Sequence, residues 1–426
     1  MTEIELTVDN VGVRGDGVAF YQGGKVFLPF TAPGDRVRAR ILAKKGEGQS
    51  GEVEEILAPG ARAKPVCRHF GECGGCALQH LTPEVYAEAK LSWLIEALAQ
   101  HGFQNCDIAP LRRLAPHARR RARFALARAK KGAVVGFHAR ASHRIVDMRE
   151  CAVLHPDLFK LVEPLRILAG EILAPDKEGA ATVTLADAGV ALLLDLPTAP
   201  KLDALERLAA FAEAQDLARL SYRVGTGRGK DSAAVPVALR RPVRVTFAGV
   251  AVDLPGESFL QASAEADTAL SGAVLGQLGE ARRVADLYAG LGTFTFALAQ
   301  QSTVHAVEGD GDAVKALKHA ASRAHLVDRV TVEERDLARL PLAPHELARF
   351  DAVVFDPPRI GAMAQSRALA ASKVPVIVAV SCNPATFARD ARMLSDGGYR
   401  LGRVLPIDSF LWSAQLELAA RFEKPV

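Results

Sequence analysis

The chain has 426 residues, with 53 Lys and Arg against 49 Asp and Glu, for a net charge of +4 at neutral pH. That length is too great for one compact core and calls for two or three domains, while so small a net charge decides nothing about partners. No apolar run reaches the roughly 18 residues of a membrane span, and Met1-Thr2-Glu3-Ile4-Glu5 lacks the basic and apolar regions of a signal peptide, so a cytoplasmic protein with no membrane partner is expected.

Residues 1–58 read as all-β. Short runs such as Glu5-Leu6-Thr7-Val8, Val18-Ala19-Phe20, Lys25-Val26-Phe27-Leu28, Arg36-Val37-Arg38-Ala39-Arg40 and Gly51-Glu52-Val53-Glu54 alternate with Gly, Pro and Asp turns, the pattern of a small barrel. Arg36, Arg38, Arg40, Lys44 and Lys45 could track a phosphate backbone, as oligonucleotide-binding barrels do, although a basic, solvated edge strand would look the same. Pro59 to Pro65 reads as a linker.

Residues 59–245 read as a central α+β unit. Six cysteines in a cytosolic chain argue against disulfides. Cys67-x5-Cys73-x2-Cys76 and the distant Cys151 offer four thiolates, a set that suits either an iron-sulfur cluster or zinc; His69 or His80 could also serve zinc. Cys106 has no partner and reads as a core residue. A helix is predicted from Pro83 to His101. Between Asp107 and Asp147 no acidic residue intervenes, yet Arg112, Arg113, Arg119, Arg120, Arg121, Arg123, Arg128, Lys130, Lys131, Arg140 and Arg144 all fall there. That run suggests a polyanionic partner, with a merely solvated face as the plain alternative. Helices follow near Leu158 to Ile172 and Leu202 to Ala214, with strands around 182–185, 190–194, 220–224 and 235–239.

Over residues 246–426 strands beginning at Val284, Val304, Val330, Ala352 and Val376 alternate with helices, as in a doubly wound α/β sheet. Val284-Ala-Asp286-Leu-Tyr288-Ala-Gly290-Leu-Gly292-Thr293-Phe294-Thr295 is a strand, a glycine turn and a helix start. The second strand ends at Glu308, about 20 residues on, where an acid can accept both hydroxyls of a ribose. Thr295 stands where a dinucleotide fingerprint would carry a third glycine, which favours a cofactor without phosphates. S-adenosylmethionine fits, with Glu308 on its ribose, Gly290 and Gly292 allowing close backbone approach and Asp336 near the adenine. The fourth strand delivers Asp356-Pro357-Pro358-Arg359, a rigidly presented carboxylate. The fifth delivers Ser381-Cys382-Asn383-Pro384. Cys382 lies beside a helix amino terminus, which is expected to lower its pKa and favour thiolate; the plain alternative is a small buried hydrophobe.

Taken together and in order, these pieces resemble the RNA uracil-C5 methyltransferases. The resemblance runs through the barrel, the cysteine cluster, Arg119-Arg-Arg-Ala-Arg123, Phe259-Leu-Gln261, the Asp286 to Thr293 turn, Asp356-Pro-Pro-Arg, Ser381-Cys382-Asn383-Pro384 and Leu416-Glu417. It implies a Rossmann-like class I methyltransferase domain, an amino-terminal TRAM-like barrel and a central iron-sulfur domain. It implies that Cys382 adds to C6 of a flipped uracil so that C5 can take a methyl group, and that Glu417 removes the C5 proton. Gln261 and Asp356 are then expected to hold the base and, with Tyr288, Gly290, Thr293, Glu308 and Asp336, to border the cofactor. Cys67, Cys73, Cys76 and Cys151 would ligate a [4Fe-4S] cluster of structural purpose. The barrel favours 23S ribosomal RNA as substrate; a transfer-RNA T loop, or a non-catalytic role in ribosome assembly, are the alternatives, and a monomer is expected. Three positions depart from the family pattern: Gln415 replaces a usual His, Ser263 a frequent Asn and Thr293 another.

Overall fold

The computed structural model describes residues 3–46, 48–129, 132–225, 233–256 and 258–424. Lys130 and Lys131 of the basic run lie outside them, as does the side chain of Lys45.

The first six strands, β1 (Glu3–Thr7), β2 (Asn10–Val11), β3 (Gly17–Tyr21), β4 (Gly24–Leu28), β5 (Arg36–Lys45) and β6 (Gly48–Ala58), form one sheet in the order β1-β5-β6-β4-β3-β2. Alternation along β5 sends Val37 and Ala39 into a core with Leu6, Val8, Val26 and Leu28 and leaves Arg36, Arg38 and Arg40 outside. Those arginines are not a bare stripe. Arg38 meets Glu55 at 2.6 Å and Arg40 meets Glu52 at 2.5 Å across the β5/β6 pair, so glutamates neutralise the track that the strand alone suggests.

Thr82 caps the next helix, α1 (Pro83–Gln100), by accepting from the Val85 amide, and Pro83 sits in its first turn. There follow β7 (Arg112–Arg113), β8 (Arg121–Arg128), β9 (Ala133–His138), β10 (Ile145–Asp147), α2 (Pro156–Phe159), α3 (Val162–Ile172), β11 (Glu178–Ala186), β12 (Gly189–Leu196), α4 (Leu202–Ala214), β13 (Arg219–Val224) and β14 (Val235–Leu239). Seven of these strands make a second sheet, β10-β9-β8-β11-β12-β13-β14. Helices α3 and α4 cover it through Leu165, Leu168 and Leu208.

The remainder comprises β15 (Arg244–Phe247), β16 (Val250–Asp253), α5 (Ala264–Leu278), β17 (Arg283–Leu287), α6 (Thr295–Leu298), β18 (Thr303–Glu308), α7 (Gly311–Arg323), β19 (Val330–Glu334), α8 (Pro344–Leu347), β20 (Ala352–Phe355), α9 (Met363–Ala370), β21 (Val376–Ser381), α10 (Pro384–Asp396), β22 (Arg400–Asp408) and β23 (Glu417–Glu423). Its sheet runs β19-β18-β17-β20-β21-β23-β22-β7. The first five strands are parallel and β23 enters antiparallel between β21 and β22, the order of a class I methyltransferase sheet. Near-continuous apolar strands such as Val376-Ile-Val-Ala-Val are buried on both faces, under separate cores on either side. Strand order reverses between β17 and β20, and a crevice opens at such a switch point beyond the carboxyl ends. The chain reaches back into this sheet from a distance: β7 pairs with β22, and α1 packs on α10. Among the described residues no helix is long and apolar enough to cross a membrane.

Candidate active site

Four strand ends bring the chemistry to the crevice. Asp356 follows β20, Cys382 follows β21, Glu417 opens β23 and Asp286 lies near the end of β17. Asn383 fixes Cys382 against the Asp356 loop: its Oδ1 accepts from the Ala385 amide at 3.1 Å while its Nδ2 donates to the Arg359 carbonyl at 3.1 Å. Thr386 Oγ1 donates to the same carbonyl at 3.3 Å.

The thiol differs from its sequence expectation. Cys382 is pushed up to about 11, first by burial and then by the charges of Asp356 and Glu417, with Arg359 pulling the other way. Two of the first positions at the amino terminus of α10 offer Cys382 no free donor. Pro384 has no N–H, and the Ala385 amide is already capped by Asn383. In the free protein the surroundings of Cys382 thus oppose its ionisation.

Glu417 is buried, at 3% exposure, and its Oε2 has no hydrogen-bond partner. Burial pushes it up to about 8 against the pull of the Ser409 hydroxyl, with the nearby Asp356, Asp267 and Asp408 adding smaller pushes. Asp356 is likewise raised to about 7 by burial, partly relieved by Gln261, whose Nε2 donates to Asp356 Oδ2 at 3.2 Å. Gln261 Oε1 is buried and unpartnered. A thiol, two carboxyls held near neutrality and an open amide thus converge from separate elements, an arrangement suited to proton transfer around a polar ring.

On the cofactor side, Tyr288, Gly290 and Gly292 all adopt positive φ, at 61°, 55° and 95°. A Cβ on Gly290 would project into open space, whereas one on Gly292 would lie 2.6 Å from Phe296. Gly290 borders room for a ligand, and Gly292 permits the turn to close. Glu308 Oε2 accepts from the Gly290 amide at 2.8 Å and its Oε1 from Gly309 and Asp310, which ties the acid to the glycine turn with lone pairs to spare. Thr293 accepts at its carbonyl from Ser271. Asp336 stands beside Gly309 but is half exposed, bonded to the Ala338 amide and paired with Arg339. Sequence reading left Asp286 without a role. It is fully buried, takes one hydrogen bond from Thr295 at 2.5 Å and leaves Oδ1 unpartnered, and burial raises it to about 7.

Comparison with known proteins decides among the chemistries this site allows. The profile of the tRNA (Uracil-5-)-methyltransferase family matches residues 243–424. The chain is 36% identical over 440 residues to the 23S rRNA (uracil(1939)-C(5))-methyltransferase RlmD of Halomonas elongata, covering 99% of this chain and 89% of that protein. The chain belongs to the RNA uracil-C5 methyltransferases. It is also 41% identical over 428 residues to an uncharacterized RNA methyltransferase of Brucella suis, covering 99% of this chain and 98% of the relative. The fold is that of the tRNA (uracil-54, C5)-methyltransferase of Pyrococcus abyssi, solved with S-adenosyl-L-homocysteine: the TM-score is 0.75 at 22% identity, over 98% of this chain and all of the other. This uracil-C5 methyltransferase is thus an S-adenosylmethionine-dependent enzyme acting on RNA.

The cysteines lie elsewhere in the enzyme. Cys67, Cys73, Cys76 and Cys151 line one cavity of about 590 Å³, which also touches Arg123, Phe137, Arg359 and Gln415. Burial, against a hydrogen bond with Gln79 and with smaller pushes from the other three thiols, takes Cys76 up to about 12. The four are therefore close enough to feel one another, but among the described residues no group of three or more His, Cys, Asp or Glu is arranged to hold a metal ion. His80 is turned toward the barrel, with Nε2 2.9 Å from the Thr31 carbonyl. His69 Nε2 accepts from the Arg149 amide. Cys106 packs against the core, as its sequence suggests.

Much of the basic motif is spent inside the protein. Arg120 is 7% exposed, donates to the Gln261 carbonyl at 3.2 Å and pairs with Asp267 at 2.7 Å. Arg121 reaches the Ser258 carbonyl and Arg123 pairs with Asp195. Arg120 and Arg121 hold the segment carrying Gln261 to the central sheet, and Arg123 pairs within that sheet. A single sequence could not separate them from phosphate-facing arginines, because burial, not composition, makes the difference.

Proposed function

We propose that this enzyme methylates C5 of a uridine in 23S ribosomal RNA through a covalent bond between Cys382 and uracil C6, with Glu417 as the base that releases it. The observation that carries this reading is the meeting of Cys382, Asp356 and Glu417 at one crevice, where Asp356 and Glu417 both act on Cys382 and Asp356 also acts on Glu417. Uracil C5 is a weak carbon nucleophile until a thiolate adds at C6 and pushes electron density toward O4. S-adenosylmethionine, when bound by Gly290, Glu308 and Asp286, supplies the methyl group. Asp356, held near 7, suits the ring in either state: ionised it accepts from N3–H, and protonated it donates to O4 as charge gathers there. Gln261 Oε1 offers a further acceptor. Once C5 carries both methyl and hydrogen, Glu417 takes the proton, the C5–C6 double bond re-forms and the sulfur leaves. A carboxyl with pKa about 8 is a far stronger base than an exposed glutamate, as proton removal from carbon requires. The base must be flipped from its stack to present C6 to Cys382.

Support for 23S RNA comes from the 36% identity to RlmD together with the amino-terminal sheet. Residues 1–58 are assigned to RNA binding, 59–245 to the cysteine-bearing unit and 246–426 to catalysis. Cys67, Cys73, Cys76 and Cys151, as an all-sulfur set on one cavity, are assigned to a [4Fe-4S] cluster that braces the central sheet and takes no part in methyl transfer. The test is methylation in vitro with labelled S-adenosylmethionine, offering 23S RNA fragments and tRNA transcripts, and mapping of 5-methyluridine by mass spectrometry. Label on one 23S uridine is expected. Label confined to a tRNA T loop would overturn the substrate, and label on another base would overturn the reaction.

A further inference from the structure

Lys90 is buried at 0% exposure on α1, in line with Tyr86 and Leu94 on the helix face that packs inward. Burying an ammonium is costly unless its charge and donors are met; here its donors are met, while burial still pulls Lys90 below the usual lysine range against the raising pull of Asp408. Lys90 Nζ pairs with Asp408 Oδ1 at 2.5 Å, donates to the Gln415 carbonyl at 2.7 Å and approaches the Phe410 carbonyl at 3.4 Å. Tyr86 joins from one turn earlier. Its hydroxyl donates to Asp408 Oδ2 at 2.5 Å and accepts from the Trp412 amide at 2.9 Å. All these partners lie at the end of β22 or in the segment that follows it to β23, closed by the paired Ile407 and Glu417. One lysine therefore grips both arms of the loop that ends in Glu417, from a helix more than 300 residues away in sequence.

We propose that Lys90, with Asp408 and Tyr86, is a positioning residue for the release step: it clamps the 408–416 loop so that Glu417 faces the crevice, and it supplies the positive charge against which Glu417 ionises. This rests on the reading of Glu417 as the base. The groups around Glu417 are Asp356 beyond β20, Asp267 on α5, Asp408 at the end of β22, Cys382 beyond β21 and Lys90 on α1; Arg113 lies over the Tyr86 ring at 4.7 Å. Three acids surround the base, and Lys90 opposes them. Gln415, at the position where the family usually has His, is held here through its carbonyl, so its backbone rather than its side chain fixes the approach to Glu417.

The opposed charges make opposite predictions, which a merely structural role would not. The experiment follows decay of the RNA–protein adduct by rapid quench between pH 6 and 10, using full-length enzyme and an RNA transcript that the wild type methylates. Lys90→Met should move the midpoint of the decay rate up by about one pH unit, and Asp408→Asn should move it down by a similar amount. Lys90→Met/Asp408→Leu, which removes both charges, should bring the midpoint back toward wild type while decay is slowed at every pH, because the loop is no longer gripped. If Lys90→Met does not fold, the Asp408→Asn and double variants decide the matter, since their midpoints must differ in the stated order. Midpoints that shift together or not at all, while Glu417→Gln still stalls at the adduct, overturn the role of Lys90 alone. Decay in Glu417→Gln at the wild-type rate overturns the base reading beneath it.

Discussion

Replacing Glu417 by Gln preserves its shape and removes its charge, which turns burial of the base into a measurable stability cost. Burial raises this carboxyl from 4.5 to about 8. A group whose folded pKa lies above its unfolded value favours the folded state most below the unfolded value, near 4.5, and that advantage is lost as pH rises through about 8. By linkage, Glu417 then costs about 1 kcal/mol at pH 5, about 3 kcal/mol at pH 7 and about 5 kcal/mol at pH 9. Glutamine carries none of this dependence. Glu417→Gln should therefore gain on the wild type by about 4 kcal/mol between pH 5 and pH 9, an upper figure because water entering the crevice relieves part of the charge. The assay is urea unfolding at pH 5, 7 and 9, followed by hydrogen exchange of β21 and β23 so that the carboxyl-terminal unit is read by itself. A stability gap that stays constant with pH, or that shrinks toward pH 9, would refute the reasoning.

Other perturbations separate the cofactor and cysteine sites. Gly290→Val should abolish S-adenosylmethionine binding in calorimetry while the fold survives, since its side chain would enter open space at a backbone cost of about 1–2 kcal/mol. Gly292→Ala should instead destabilise the carboxyl-terminal unit by about 1–3 kcal/mol, because its Cβ meets Phe296; denaturant midpoints check it. Cys151→Ser, purified anaerobically, should lose iron and the broad absorption at about 400 nm expected of a cluster. Stoichiometric zinc without colour in the unsubstituted enzyme would replace the cluster with zinc.

The fold was legible where periodicity is strong. The helix expected from Pro83 and the strands from Val284, Val304, Val330, Ala352 and Val376 stand where apolar runs and caps put them. The short β7 and the return of α1 onto the carboxyl-terminal sheet were not, because a two-residue strand has no period and tertiary pairing is non-local. Within the site, Cys382 and Asp356 were legible as strand-end residues. Their proton affinities were not, since these depend first on how deeply the fold buries each group and then, for Cys382, on the carboxylates it brings near. The lowering expected of Cys382 from the helix terminus is outweighed by burial for that reason. Lys90 left only a faint trace, a lysine on the apolar stripe of an amphipathic helix, and Arg120 left none, because its partners Gln261 and Asp267 are far away in the chain.

The most direct measurement is a trapping experiment. RNA carrying 5-fluorouridine at the target position has no C5 proton for Glu417 to remove, so methyl transfer should leave the base joined to the enzyme. Digestion and mass spectrometry should then find the methylated fluorouridine on the peptide containing Cys382, and no adduct in Cys382→Ala, which still binds S-adenosylmethionine. An adduct on any other residue, or methyl transfer by Cys382→Ala, would contradict a reaction that runs through this thiol.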